Sequence, residues 1–192
     1  MHDNLQQRRD SALRKIGRNV VNFQRLEVAL KSLIPAISMA GTLNDLALAP
    51  ARRARELKKK ALGEVASAFH AEVLGPPAST SPTTSPDLAY VTVELRLESD
   101  SLVVQERKRA LIALVRERNR LIHSQLSEFN LDSVEDCERL SALLDEQNPR
   151  ICAYLEFLAL LRSSQMAAAL VLKALVDSDE FLELLARSSD GA

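Results

Sequence analysis

The sequence predicts an all-α protein, an up-and-down bundle of four to six helices with a peripheral extended or short β segment. Three observations predict it. Apolar residues recur at spacings of three and four over most of the chain, the period of amphipathic helices. Alanine and leucine, both strong helix formers, abound. Five glycines and no tryptophan in 192 residues argue against a turn-rich sandwich or barrel. The length fits one domain over residues 1–192, large enough to fold without staples.

A first helix is expected from about Asn4 to Leu33, with an apolar stripe at Leu13, Ile16, Val20, Phe23, Leu26, Leu30 and Leu33. Pro35 ends it, because the residue before a proline is pushed out of the helical region. A loop with Gly41 and Thr42 to Asp45 should follow. A second helix is expected from about Ala51 to Leu74, with Pro50 at its start. Its stripe is Ala54, Leu57, Ala61, Val65, Ala68 and Phe69. Its first half carries Arg52, Arg53, Arg55, Lys58, Lys59 and Lys60.

Residues 75–87 hold four of the seven prolines among Ser and Thr and read as a linker. Val91, Val93, Leu95 and Leu97 then alternate with polar residues, which predicts a strand. Its partner is expected to be a short hairpin arm at Leu102 to Val104, or a second subunit. A third helix should run from about Val103 to Leu126, capped near Asp100 or Ser101. A fourth should start after Asp132, where Asp132-Ser133-Val134-Glu135 resembles a capping box, and reach about Leu144. Pro149 is expected to restart or kink it before a long helix to Val176. Asp179 to Arg187 can form a last short helix.

Composition excludes several function classes. Two cysteines, Cys137 and Cys152, exclude a disulfide scaffold or a Cys-rich zinc site and suit small core residues in a reducing compartment. There is no phosphate-loop motif, no dinucleotide fingerprint and no clustered metal-ligand set, so neither a metal nor a cofactor is expected. The start of the chain lacks an apolar signal region, and the apolar stretch from Ser32 to Asn44 is too short to span a bilayer. A cytoplasmic protein without membrane partners is the expectation. The net charge of −1 is a sum of opposites: +6 over residues 1–75, +1 over 76–126 and −8 over 127–192. Such a distribution permits an anionic partner on the basic side.

The third helix carries an anomaly. With Leu111 at about 0°, Leu114, Val115, Leu121 and Ile122 lie within about 80° of it, and Arg118 falls at about −20°, inside the stripe. A permanently charged guanidinium there must be satisfied. One reading is a structural ion pair or a snorkelling stem, with Glu27 as candidate partner. The other is that Arg118 faces a subunit interface or an anion. Asn119 and His123, four residues apart, share the neighbouring face.

The run Arg118-Asn119-Arg120-Leu121-Ile122-His123 reads R-N-x-x-x-H and resembles the signature of the HEPN superfamily, all-helical domains many of which are metal-independent RNases. The segment Asn22 to Glu27 is similar to the opening helix of such domains. The resemblance implies that His123 transfers protons, Arg118 holds the phosphate, Asn119 bonds the phosphate or orients His123, and Arg116, Arg120 and Ser124 contact RNA. It also implies a two-fold dimer with one composite cleft, and a toxin or a defence or stress effector controlled by a protein inhibitor or antitoxin. In relatives controlled by nucleotidylation, a tyrosine often sits two residues after the histidine. Here that position is Gln125, so that control is not implied.

The residue chemistry agrees with such an activity. Attack of the RNA 2′-OH on the adjacent phosphate needs a group that titrates near neutrality, and histidine starts there. Arginine's fork suits phosphate oxygens and the charge that develops on them. Arg118 and His123 diverge by about 140° on an ideal helix, so a second subunit could complete the site. His70 is expected to be a satisfied or surface histidine. The basic cluster reads as a solvated face that can also attract an RNA backbone. A non-catalytic module that binds nucleotide, RNA or a protein partner is the alternative, and a plain structural bundle with Arg118 paired to a buried acid is a third reading.

Overall fold

The 32 residues of α1, His2–Leu33, form a helix about 48 Å long, and it ends where the sequence places its end. A 3-10 turn, Ile34–Ala36, begins around Pro35. The computed structural model describes residues 2–41, 43–75, 91–94, 100–179 and 181. Among these, five α-helices and two short strands follow in order: α1, β1 (Ser38–Gly41), α2 (Leu43–Lys58), α3 (Leu62–Glu72), β2 (Val91–Glu94), α4 (Ser101–His123) and α5 (Val134–Val176). The protein is all-helical in class, and the strands are peripheral to it.

The core is built from the predicted stripes, with local corrections. Phe23, Leu26, Leu30 and Leu33 of α1 pack with Leu57, Val65, Phe69, Leu111, Leu121, Leu140 and Ile151. Leu13, expected in the stripe, is 45% exposed, and Ala12 and Asn19 are buried instead. The α1 stripe is therefore rotated towards its small and amide residues, because α5 approaches closely there.

The single expected helix from Ala51 to Leu74 is two helices. Lys59 to Ala61 interrupt it, and α3 restarts where the Ala61 N–H donates to Glu64 Oε2 at 3.0 Å. Two of three consecutive lysines, Lys59 and Lys60, lie in the break itself. Pro50 lies inside α2 rather than at its start. The expected loop after Pro35 holds β1 and the first residues of α2.

The predicted strand forms at Val91–Glu94, and within the chain its partner is not Leu102 to Val104. It pairs antiparallel with β1, Ser38 opposite Glu94 and Gly41 opposite Val91. Leu102 and Val103 belong to α4. Ser-Met-Ala-Gly lacks alternation, so its role comes from its position after the 3-10 turn. Residues 76–87 of the expected linker, 95–97 of the expected strand and all but Asp179 and Phe181 of the expected last helix lie outside the described residues.

Helix α4 starts as expected, with Asp100 Oδ1 accepting from the Leu102 N–H at 2.9 Å, and it stops at His123 rather than Leu126. The N-cap of α5 is Ser133, one residue later than Asp132, with its Oγ accepting from the Asp136 N–H at 3.3 Å. Pro149 does not restart the helix: α5 runs unbroken for 43 residues.

A proline removes the hydrogen bond to the carbonyl four residues back, here that of Asp145, and the helix continues past it. Donors from α1 reach the adjacent turn. Asn19 Nδ2 reaches the Leu144 carbonyl and Gln147 Oε1, both at 2.9 Å, and Arg18 Nη2 reaches the same carbonyl at 3.0 Å. Asn22 Nδ2 donates to Asn148 Oδ1 at 2.9 Å.

These contacts set the helix directions. Arg9 meets Asp132, Lys15 meets Asp145, and Gln165 donates to the Leu33 carbonyl, so α1 and α5 run parallel. Glu117 meets Arg150 and Arg107 covers Phe157, so α4 runs antiparallel to α5. Beyond Gln165, α5 continues about 16 Å past the end of α1. Met166, Leu170 and Val171 on that extension are at least 63% exposed. An 18-residue window of α5 has a mean hydropathy of 1.4 and is 6% buried, so by length and composition this helix could cross a bilayer. No N-terminal reading of the chain exposes this feature.

Candidate functional site

The candidate residues lie along the last two turns of α4 and just beyond it. Arg116, Asn119, Arg120 and His123 are exposed, Ser124 is the exposed C-cap, and Arg118 is half-buried. The Arg118 position falls on the packed side of α4, between Leu111, Leu114 and Leu121, all buried, and its stem carries the guanidinium out to the exposed Asn119. Its Nη1 donates to Asn119 Oδ1 at 3.1 Å.

Glu27 is not the partner of Arg118. Its Oε1 accepts from Lys31 Nζ at 2.7 Å, an i,i+4 pair within α1. Among the described residues, Arg118 has no carboxylate within ion-pair distance. The reading in which it merely neutralises a buried acid finds no such acid among the described residues. A guanidinium held by one neutral amide keeps most of its five donors for another acceptor.

The remaining candidates are partly engaged. Arg120 Nη2 pairs with Glu128 Oε2 at 3.1 Å, and Ser124 Oγ donates to the Arg120 carbonyl at 3.2 Å. Arg116 is solvated. His123 is the last helical residue, and among the described residues no hydrogen bond joins it to Arg118 or Asn119. The structure thus brings Arg118 and Asn119 together and leaves His123 apart from them within one chain. Ile112, 42% exposed, shares the face of Asn119 and His123, and Ile122, 41% exposed, lies at the edge of the apolar stripe beside it.

His70 is neither satisfied nor a surface residue. It is half-buried on α3, and its Nε2 is buried without a hydrogen-bond partner. Burial lowers its pKa first, and the positive charge of Lys108 adds to that, so the ring is held neutral. In the basic cluster, Arg53 is bound to Glu56 and Glu72, whereas Arg52, Arg55, Lys58 and Lys59 are exposed along one shallow depression. Cys137 is buried and its thiol is pushed up, chiefly by burial, while Cys152 is half-buried, and both are free. No group of three metal-ligating side chains occurs among the described residues.

Sequence reasoning missed a second constellation on the other side of α4. Arg107 and Glu117 of α4 meet Arg150 and Tyr154 of α5 around a cavity. The available signal was Tyr154 itself, one of two tyrosines in the chain, spaced by three from Ile151 and by four from Leu158 on the buried side of α5. A polar tip on an apolar stripe asks for a partner. No family model, curated protein or solved structure matches this chain.

Proposed function

We propose that the protein is a metal-independent endoribonuclease of HEPN type. The observation that supports this most is Arg118: an arginine on the apolar stripe of α4, without a carboxylate partner among the described residues, its guanidinium bonded to the adjacent Asn119. Such a group is suited to an external anion. The proposed step is attack of a 2′-OH on the neighbouring phosphorus, with loss of the 5′-oxygen and formation of a 2′,3′-cyclic phosphate. His123 moves the proton, Arg118 carries the developing phosphate charge, and Asn119 fixes the Arg118 fork. Arg116, Arg120 and Ser124 hold the flanking backbone. The basic cluster on α2 adds non-specific attraction.

In this reading two copies pair through the face that carries Ile112 and Ile122, and His123 of one copy serves Arg118 of the other. The protein acts in the cytoplasm as a toxin or a defence or stress effector, restrained by a protein inhibitor. A second reading is a catalytically inactive helical module that binds nucleotide, RNA or a protein partner through the same cleft. It is favoured by the lack of any contact between His123 and Arg118 within the chain.

The test is incubation of the purified protein with mixed RNA in EDTA. Wild type should leave 2′,3′-cyclic ends, and His123→Ala and Arg118→Ala should each cut at least about 100-fold more slowly with unchanged melting temperature. Binding without cleavage would instead select the second reading. A strict monomer with full activity would rule out the composite site.

A further inference from the structure

The end of α5 departs from the pattern of a surface helix. Residues 166–176 read Met-Ala-Ala-Ala-Leu-Val-Leu-Lys-Ala-Leu-Val, with Lys173 as the one polar side chain. Met166 is 63% exposed, Leu170 and Val171 are 70% exposed, Leu175 54% and Val176 38%. With Leu170 at 0° and about 100° per residue, Val171 falls at about 100°, Leu175 at about 140°, Val176 at about 240° and Met166 at about 320°. Water therefore meets apolar side chains round the whole circumference. A helix made to dock by one face keeps a polar face opposite, and this segment has none. Helices apolar on all sides belong in a core or in lipid.

The same end of the molecule is basic. The carbonyl of Leu33, the last residue of α1, accepts from Gln165 Nε2 at 3.2 Å. Two residues earlier, Lys31 Nζ donates to the Lys58 carbonyl at 3.3 Å. The start of the apolar segment and the end of α2 thus flank one end of α1. On α2, Arg52, Arg55, Lys58 and Lys59 are exposed along one shallow depression. An apolar segment beside a cluster of cations is the pair of signals that holds a protein on an anionic lipid surface.

Length and charge set the depth. The eleven residues after Gln165 span about 16 Å, half of a ~30 Å hydrocarbon core, and Gln165 is tied to α1, so the segment is too short to cross. Asp177 and Asp179, both exposed, close the run. Entry tip-first would carry these carboxylates into hydrocarbon, at high cost. Lying along the surface, a helix ~10–12 Å across fits within one leaflet of ~15 Å with both charged ends at headgroup level. The long stem of Lys173 lets its ammonium reach back to the headgroups. The four cations of α2 outnumber the two carboxylates.

We propose that the protein docks on a bilayer with anionic headgroups, residues 166–176 lying in the acyl region of one leaflet and the basic end of α2 against the headgroups. Lipid covers every side of the segment at once. A second copy paired along it would cover one side and leave the opposite side in water. This docking goes beyond the ribonuclease reading and does not depend on it.

Flotation of the full chain tests it, with vesicles of phosphatidylcholine mixed with phosphatidylglycerol and vesicles of phosphatidylcholine alone. Wild type should bind the mixed vesicles at least tenfold more strongly, and added salt should weaken that binding. Leu170→Glu combined with Leu175→Glu should lose at least tenfold of it with unchanged melting temperature, because both side chains already face water. Lys58→Gln combined with Lys59→Gln should lose about tenfold. The chain has no tryptophan, so Leu170→Trp gives a single fluorescent probe of the segment. Its emission should shift to the blue, and be quenched by brominated acyl chains, only with mixed vesicles present. No binding to mixed vesicles, or binding that ignores the Leu170 and Leu175 substitutions, would overturn the proposal. So would blue-shifted emission in buffer together with a dimer in light scattering that Leu170→Glu dissolves, which would assign the segment to a second copy.

Discussion

Helix α5 presents one side to α1 and another to α4, and the two seams treat buried polar groups in opposite ways. Against α1, every buried amide is paired: Asn19 with Gln147 and the Leu144 carbonyl, Asn22 with Asn148. Against α4, Tyr154 Oη and Glu117 Oε2 are orphaned beside a cavity. A satisfied network sets the register of two helices. An unsatisfied one does not, and each orphan costs about 1–3 kcal/mol of desolvation. The difference separates a seam that holds the fold through paired polar groups from one that leaves two of them unpaired.

The comparison can be broken most sharply at Asn19. Asn19→Leu fills the site but leaves Gln147 without its buried donor. A loss of about 2 kcal/mol and a fall in Tm of about 4–8 °C are expected in thermal unfolding. A loss below about 0.5 kcal/mol would mean that pairing does not hold this seam. The mirror experiment on the other seam gives a smaller effect of opposite sign. Tyr154→Phe removes a hydroxyl that has no partner, so urea unfolding should show no loss, or a gain of up to about 1 kcal/mol. A loss above about 1.5 kcal/mol would show the hydroxyl to be bonded and erase the contrast.

The smallest effect is at the rim of the paired seam. The hydrogen bond from Lys15 holds the Asp145 carboxyl below its usual range; burial opposes this, and Arg18 adds to it. The folded value lies below the unfolded one, so the stabilisation is complete above the ordinary carboxylate range and is lost as pH falls through the folded value. The carboxylate is 49% exposed, so the contribution is under about 1 kcal/mol. Wild type should lose slightly more stability than Asp145→Asn between pH 7 and pH 2, measured by urea midpoints. Equal losses would show that these ion pairs contribute nothing to the seam.

Much of this was legible in the chain itself. Periodicity located α1, α4 and the core positions Leu26, Leu30, Leu111 and Leu121, because helical spacing is a local property. Pro35 marked the end of α1 for the same reason. Alternation located β2 but not its partner: Ser38 to Gly41 carries no strand signal and pairs only because the chain returns there. Pro149 predicts a break that does not occur, because the packing of α5 against α1, which includes Arg18 and Asn19 on the Leu144 carbonyl, comes from residues far away in sequence. Arg118 stood out on the helical wheel, and its apolar placement was readable from spacing.

Sequence by itself determined the helical class, the positions of most helices and the anomaly of an arginine on an apolar stripe, since each depends on neighbours within a few turns. Only the tertiary structure decided that Glu27 belongs to Lys31 and not to Arg118. Only it placed Tyr154 and Glu117 on one cavity. The physical reason is the same in both cases. Whether a buried polar group is satisfied depends on which helix faces it and at what register, and no local pattern encodes that.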